Sequence, residues 1–508
     1  MMLSLLSFAL LLGLGTLLQG PLQPRELRLK SRSIPLWLLE AGLIATPFLL
    51  TLLLTQRLLL ATLASLVLLI TPIIVNHAKY RALREPLVFS DFYLYIQVFT
   101  HPRLFLPFLN IPLTLLAIVS GITALLLIVL LEQPLPLHPL PLAVGLVAVV
   151  WHSWYVAGTV TLQQLAVEDV QSLGLYNSLL ISSLQAANPE RRQALYQQLR
   201  SASPFQQPTV PKSAATQADI LVVQSESFCD IRSISPAIRP EVLQHYDQLC
   251  QQAYAYGALT VPAWGANTLR TEFAFLSGVD NAELEHYRYN PYQFLQHQAV
   301  PTLASYLRQQ GYYTLCIHPN HAEFFKRNRV FPNLGFDAFI DIEAFNPADT
   351  EGPYISDAAV TKKVLELLQH RPADKPLFMF VITMENHGPL HLEDSSSVAI
   401  DSLYQSPPPE PQHDLTVYLK HLQNADKMLK SLTDFLKQQP RETHLCWFGD
   451  HVPSMPDVYR TLNIQALDSH YLIWNNTQAS QTSPSPEASK QPIESLAQTL
   501  LYSTGQMR

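Results

Sequence analysis

Five apolar stretches, at about residues 3–19, 36–55, 58–76, 104–131 and 138–158, crowd into the first third of a 508-residue chain. They constrain its folding more than any other feature. Each is long enough, or nearly so, for a helix to cross a hydrocarbon layer of about 30 Å, where only a helix or a closed barrel satisfies its own backbone groups. The first stretch has neither a basic leader nor a small-x-small cleavage site, and it reads as a retained helix rather than a signal peptide. Residues 1–160 are therefore expected to form an all-α transmembrane bundle of about five helices.

The remainder is of another kind. Residues 161–218 include AANPERRQALYQQLRSASPFQQPTVPKSAATQ, polar and without sustained apolar periodicity, which reads as a helix and linker. From Asp219 to residue 508, short runs of Val, Ile, Leu and Phe alternate with helical patterns, the signature of an α/β domain with a largely parallel central sheet. A net charge of -7 with no long basic run argues against a nucleic-acid partner. The four cysteines, Cys229, Cys250, Cys316 and Cys446, show no CxxC spacing, so neither a zinc knuckle nor a redox pair is indicated. Cys316 and Cys446 fall in apolar runs and read as buried thiols.

The residues at the ends of the apolar runs carry the chemistry. DILVVQS leads into Glu226, YYTLCI into His318, LFMFVITMEN into His387, and THLCWFG into Asp450 and His451. In an open parallel sheet ligands bind beyond the carboxyl ends of the strands, so these side chains should meet on one rim. VPAWGANTLRTEFAFLSG adds a helix start, with Asn267 as N-cap, Gly265 for a tight approach, and Leu269, Phe273 and Leu276 on one apolar face. Thr268 would point from the positive end of that helix, where a phosphate can bind and a nucleophile can meet it.

Two carboxylates, an imidazole and a hydroxyl suit one divalent cation, manganese, magnesium or zinc, better than a thiolate-seeking metal. Such a cation would stabilise the threonine alkoxide, and the stiff χ1 of threonine would fix its oxygen. In HPNHAEFFKRNRVFPNLGF, Arg327 could fork onto phosphate oxygens. Each residue also has a structural reading: Glu226 a solvated loop acid, His318 and His387 hydrogen-bonded histidines, Asp450 a helix cap, Arg327 part of a solvated turn.

Taken together, the apolar segments, YRALREPLVFSDFYL, QSESF, GANTLRTEF, IHPNHAEFFKR, ENHGPL and GDHVP resemble the lipoteichoic acid synthase family. These are membrane phosphoglycerol transferases of the alkaline phosphatase and sulfatase superfamily. The resemblance implies that Glu226, Thr268, Asp450 and His451 bind the metal, manganese first, with Thr268 as nucleophile. His318, Phe325, Arg327 and His387 would contact the phosphoglycerol group, Phe325 standing where the family often has Trp. His387 would also protonate the departing alkoxide.

The resemblance further implies phosphatidylglycerol as donor, an envelope glycan or polyol phosphate as acceptor, and a site outside a bacterial cytoplasmic membrane. The loop charges point the other way. RELRLKSR and HAKYRALRE are basic, and the positive-inside rule would keep them, and the C-terminal domain, in the cytoplasm.

Two alternatives stand beside this reading. A phosphoethanolamine transferase would share the threonine and the GDH triplet, but such enzymes usually carry cysteines around the threonine. A catalytically silent membrane protein binding a lipid or glycan would keep the fold without the chemistry. No CxPxR-like sequence is present to supply a sulfatase's formylglycine.

Overall fold

The computed structural model describes residues 2–19, 23–30, 32–95, 111–163, 165–206, 217–371, 375–396, 398–477 and 487–507. The chain divides into two compact units, Met1–Gln193 and Ala194–Arg508.

In the first unit, helices Met2–Gln19, Ile34–Thr55, Leu58–Leu83, Ile111–Leu131 and Pro139–Thr159 occupy the five apolar stretches. The start of the fourth stretch, 104–110, lies outside the described residues. Four helices are long and apolar enough to cross a membrane: Ile34–Thr55, Leu58–Leu83, Thr114–Leu131 and Pro139–Thr159. The N-terminal one is shorter by the same measure, so about five spanning helices becomes four among the described residues, plus one short apolar helix.

Ile44, Phe48 and Leu52 of the second helix pack with Ala61, Leu69 and Ile73 of the third, while Leu126 and Leu130 point outward uncovered. Such a pattern suits a helix whose solvent is lipid. Two polar groups near the end of the third helix are matched. The Lys79 ammonium lies 2.6 Å from Asp91 Oδ2, which also accepts from the Val88 backbone N–H. Asn76 accepts from the Leu87 N–H and donates to Gln23. The PLVFSDFYL motif is thereby tied to the end of the 58–83 helix.

Among its described residues the second unit has ten strands: β1 (Asp219–Ser225), β2 (Ala255–Thr260), β3 (Tyr313–Ile317), β4 (Ala338–Ile340), β5 (Thr350–Glu351), β6 (Tyr354–Ile355), β7 (Leu377–Ile382), β8 (Thr443–Gly449), β9 (Ser469–Asn475) and β10 (Gln491–Pro492). Eight form one sheet in the order β10-β2-β9-β8-β1-β7-β3-β4, and β5 pairs with β6. Only β9 runs against the other seven.

The central strands are buried on both faces, which is why they read as unbroken apolar runs. Val223, Val381 and Trp447 point to one face, where Leu415, Leu422 and Leu429 of helix His413–Leu436 cover them. On the other face, Phe275 of helix Thr268–Ser277 lies 5.9 Å from Phe380 and 4.7 Å from Phe448, ring centre to ring centre. All four cysteines are buried and unbridged.

Candidate active site

β8, β1, β7 and β3 are neighbours and parallel, so their carboxyl ends share one edge of the sheet. Glu226, His318, Asp450 and His451 follow those strands directly, and His387 lies five residues beyond β7. β2 runs the same way, which delivers the loop before Thr268 to that edge as well.

At its centre the chain reverses sharply after Glu226, with Ser227 at φ 54°. The Ser227 N–H donates to Asp450 Oδ1 at 2.8 Å and its hydroxyl to Glu226 Oε1 at 3.0 Å. The His451 N–H donates to the same Asp450 oxygen at 2.9 Å. Gly449 lets β8 come this close, because a Cβ there would stand 1.9 Å from the Phe228 carbonyl oxygen.

His451 directs Nδ1 at the Val452 carbonyl, 3.1 Å away, which assigns the proton to that nitrogen. Its Nε2 then faces Asp450 Oδ2 at 3.3 Å and Glu226 Oε1 at 3.4 Å. One ligand atom from each of Glu226, Asp450 and His451 lies within 4.8 Å of the others. Among the described residues, Asp450 Oδ2 and His451 Nε2 have no hydrogen-bond partner although both are buried. Burial, and then Asp450, hold Glu226 well above the usual carboxylate range. Crowded, dehydrated carboxylates beside an unpartnered imidazole nitrogen are the donor set a divalent cation satisfies, so these residues fit one.

Thr268 opens the 268–277 helix and is 7% exposed. Asn267 is not its side-chain cap. It adopts φ 71°, ψ 44°, with no side-chain hydrogen bond to the helix, because the loop must turn sharply and asparagine tolerates the left-handed region. What fixes the helix start is the β8 loop. Gly265 N–H donates to Val452 O at 3.2 Å, and the Thr271 hydroxyl donates to Asp450 O at 2.6 Å. Thr268 lies one turn before Thr271 on the same helix face. The expected single apolar face is also revised, since all ten residues of this helix are buried.

Glu272, four residues after Thr268, is the anchor of Arg327. The guanidinium Nε and Nη2 both donate to it, and the Tyr292 hydroxyl donates to its Oε2. Arg327 Nη1 has no partner among the described residues and is buried. The Phe325 ring centre lies 5.0 Å from the guanidinium carbon, and Phe325 and Lys326 both take positive φ to place it there. Burial, with Arg327 nearby, pushes His318 well below its ordinary value, so it is neutral. Its Nδ1 lies 3.3 Å from Ile382 O, while Nε2 has no partner among the described residues.

His387 Nδ1 is 2.7 Å from Gly388 O and 3.1 Å from the Tyr354 hydroxyl. Burial lowers its pKa, opposed by the Gly388 hydrogen bond and by Asp450. The structure thus gathers Glu226, Asp450 and His451 into one cluster, with Thr268 tied to it through Thr271. Ser227, Tyr292 and Tyr354 join the site without a signal of their own in the sequence. Ser227 and Glu272 sit inside the quoted motifs QSESF and GANTLRTEF; Tyr354 comes from a two-residue strand with no ligand-like spacing.

Comparison with known proteins agrees with this geometry. A family model, Sulfatase, matches residues 218–505. A Rhizobium meliloti protein named for cyclic beta-1,2-glucan modification is 32% identical over 257 residues, 50% of this chain. The match spans only 39% of that protein's length. The capsular polysaccharide biosynthesis protein RkpI of the same organism is 29% identical over 400 residues, 75% of this chain and 70% of that one. Among solved structures, the integral membrane lipooligosaccharide phosphoethanolamine transferase A of Neisseria meningitidis shares the fold with TM-score 0.54. That likeness covers 93% of this chain and 87% of the other at 12% identity. With the family model covering more than half of the chain and the strand ends furnished as described, the protein belongs to the sulfatase family.

Proposed function

We propose that this chain is a membrane-bound phosphoglycerol transferase that uses phosphatidylglycerol as donor and an envelope glycan or polymer as acceptor. The observation that carries the reading is the hydrogen bond from Thr271 to Asp450 O. It fastens the helix bearing Thr268, one turn earlier, to the loop bearing two of three cation-type ligands. Glu226, Asp450 and His451, with the Thr268 oxygen, would hold the cation. When bound, manganese, or magnesium or zinc in its place, supplies Lewis-acid chemistry that makes an alcohol nucleophilic and offsets phosphate charge.

The chain's own groups then have distinct tasks. Thr268 Oγ1 gives up its proton to solvent and forms a bond to phosphorus, the bond from phosphorus to the diacylglycerol oxygen breaks, and glycerophosphate remains on the threonine. Arg327, held by Glu272, offers Nη1 to a phosphate oxygen, and His318 Nε2 and Phe325 line the same place. His387, whose Nδ1 is fixed by Gly388 O, works through Nε2. It gives a proton to the departing lipid oxygen and takes one from the acceptor hydroxyl that resolves the adduct.

Absence of cysteine around GANTLRTEF favours this donor over phosphatidylethanolamine. Names of the two Rhizobium relatives support a glycan acceptor. The test is to reconstitute the full chain in vesicles with phosphatidylglycerol labelled in the headgroup and an envelope glycan. Label should pass to the glycan and diacylglycerol should accumulate. Transfer from labelled phosphatidylethanolamine alone would replace this reading with its alternative.

A further inference from the structure

Beside the site lies a buried charge cluster that neither the cation nor the phosphate needs. His421, on the 413–436 helix, places Nδ1 2.9 Å from Glu385 Oε1 and Nε2 2.9 Å from Glu393 Oε2. Its side chain is 0% exposed, and those of the two glutamates 1% and 7%. Carboxylate oxygens only accept, and a neutral imidazole has one N–H; donating to both requires the imidazolium.

Glu385 is fixed further by Asn424 Nδ2 at 2.7 Å and by the Asp357 N–H, at the start of helix Asp357–His370, at 2.6 Å. The two glutamates bracket the segment that carries Asn386 and His387. We infer that His421 is a positioning residue, an imidazolium clasp that pins both ends of segment 385–393 to the 413–436 helix and thereby sets His387 for group transfer.

The surroundings account for its charge. Burial by itself would depress the imidazole, but hydrogen bonds to both glutamates override it and push His421 up to about 9. Asp357 also faces the cluster, held well above the carboxylate range by burial and then by Glu385. Lys420, next to His421, is taken up by Glu351 on β5. Because the folded value exceeds the ordinary 6.5, the clasp is at full strength below that pH and is lost as pH rises through about 9.

This inference rests on the transfer reading only for its kinetic arm. The experiment compares the full chain with His421→Gln and Glu393→Gln in detergent, by hydrogen exchange of peptide 383–393 and by turnover of labelled phosphatidylglycerol across pH. Exchange in that peptide should rise about tenfold or more in His421→Gln while peptides of β1 and β8 stay protected. Turnover number should fall about tenfold to a hundredfold with KM nearly unchanged, as for a misplaced catalytic group. In Glu393→Gln, which keeps an acceptor oxygen but removes one of the two negative charges, the alkaline fall in turnover should move down by about one pH unit.

Unchanged exchange in 383–393, or exchange that rises equally in β1 and β8, would overturn the clasp. So would a loosened segment with unaltered turnover. Should the parent transfer nothing from phosphatidylglycerol, the transfer reading fails and the exchange arm alone decides the clasp.

Discussion

At the scale of single residues, Thr268 is an ordinary alcohol whose reactivity depends on what stands beside it. Thr268→Ala removes one oxygen and one methyl group, so turnover should fall by on the order of 10³-fold or more while the protein still folds. Thr268→Ser keeps the hydroxyl with a looser χ1 and should retain part of the rate. Asp450→Asn and Glu226→Gln each remove a charged oxygen from the cluster; both should weaken cation binding, measured as metal retained after dialysis. Chelation should stop turnover and manganese restore it. His387 gives the pH signature. Because burial lowers its pKa from 6.5, little imidazolium is present above that pH. Adduct formation, which needs the acid, should slow as pH rises through the range below 6.5, whereas resolution of the adduct, which needs the base, should quicken to a plateau; stopped-time quenching at several pH values separates the two. Sequence made Glu226, His318, Asp450 and His451 legible because each directly follows a buried strand. It did not reveal Tyr354 or His421, whose elements carry no ligand spacing and whose partners are fixed only by tertiary packing.

Among the elements, the junction of β8 with the turn after β1 bears most on the site. Gly449→Ala would drive a Cβ into the Phe228 carbonyl, a backbone atom that cannot rotate away. That overpacking should cost about 1–3 kcal/mol, seen as a lowered Tm, and should weaken cation binding through its neighbour Asp450. The 268–277 helix shows what periodicity can and cannot tell. Its place and its start at Thr268 were readable, yet its polar residues are as buried as its apolar ones because Thr271 bonds Asp450 O and Glu272 bonds Arg327. A pattern of hydrophobic spacing has no means of seeing partners that arrive from 55 or more residues away. The parallel order of β8, β1, β7 and β3 was legible as a class, from apolar runs alternating with helices; the reversed β9 was not, since its SHYLIWN is as apolar as its neighbours.

For the whole molecule, the open conflict is between loop charge and the expected outer location of the second unit. The structure pairs part of this charge with carboxylates. Arg32 of RELRLKSR is buried against Glu40, and Lys79 of HAKYRALRE against Asp91 at 2.6 Å. Long domains nevertheless cross membranes largely regardless of loop charge. Protease added to intact spheroplasts should therefore release the second unit; cleavage only after lysis would place it in the cytoplasm. The reaction itself is tested most directly by intact-peptide mass spectrometry of the full chain, loaded with manganese and phosphatidylglycerol and quenched without acceptor. A glycerophosphate adduct should appear on the peptide containing Thr268, be lost on adding acceptor and be absent in Thr268→Ala. Metal-loaded protein that releases diacylglycerol yet shows no adduct there, or an adduct of phosphoethanolamine mass formed only from phosphatidylethanolamine, would contradict the proposed transfer.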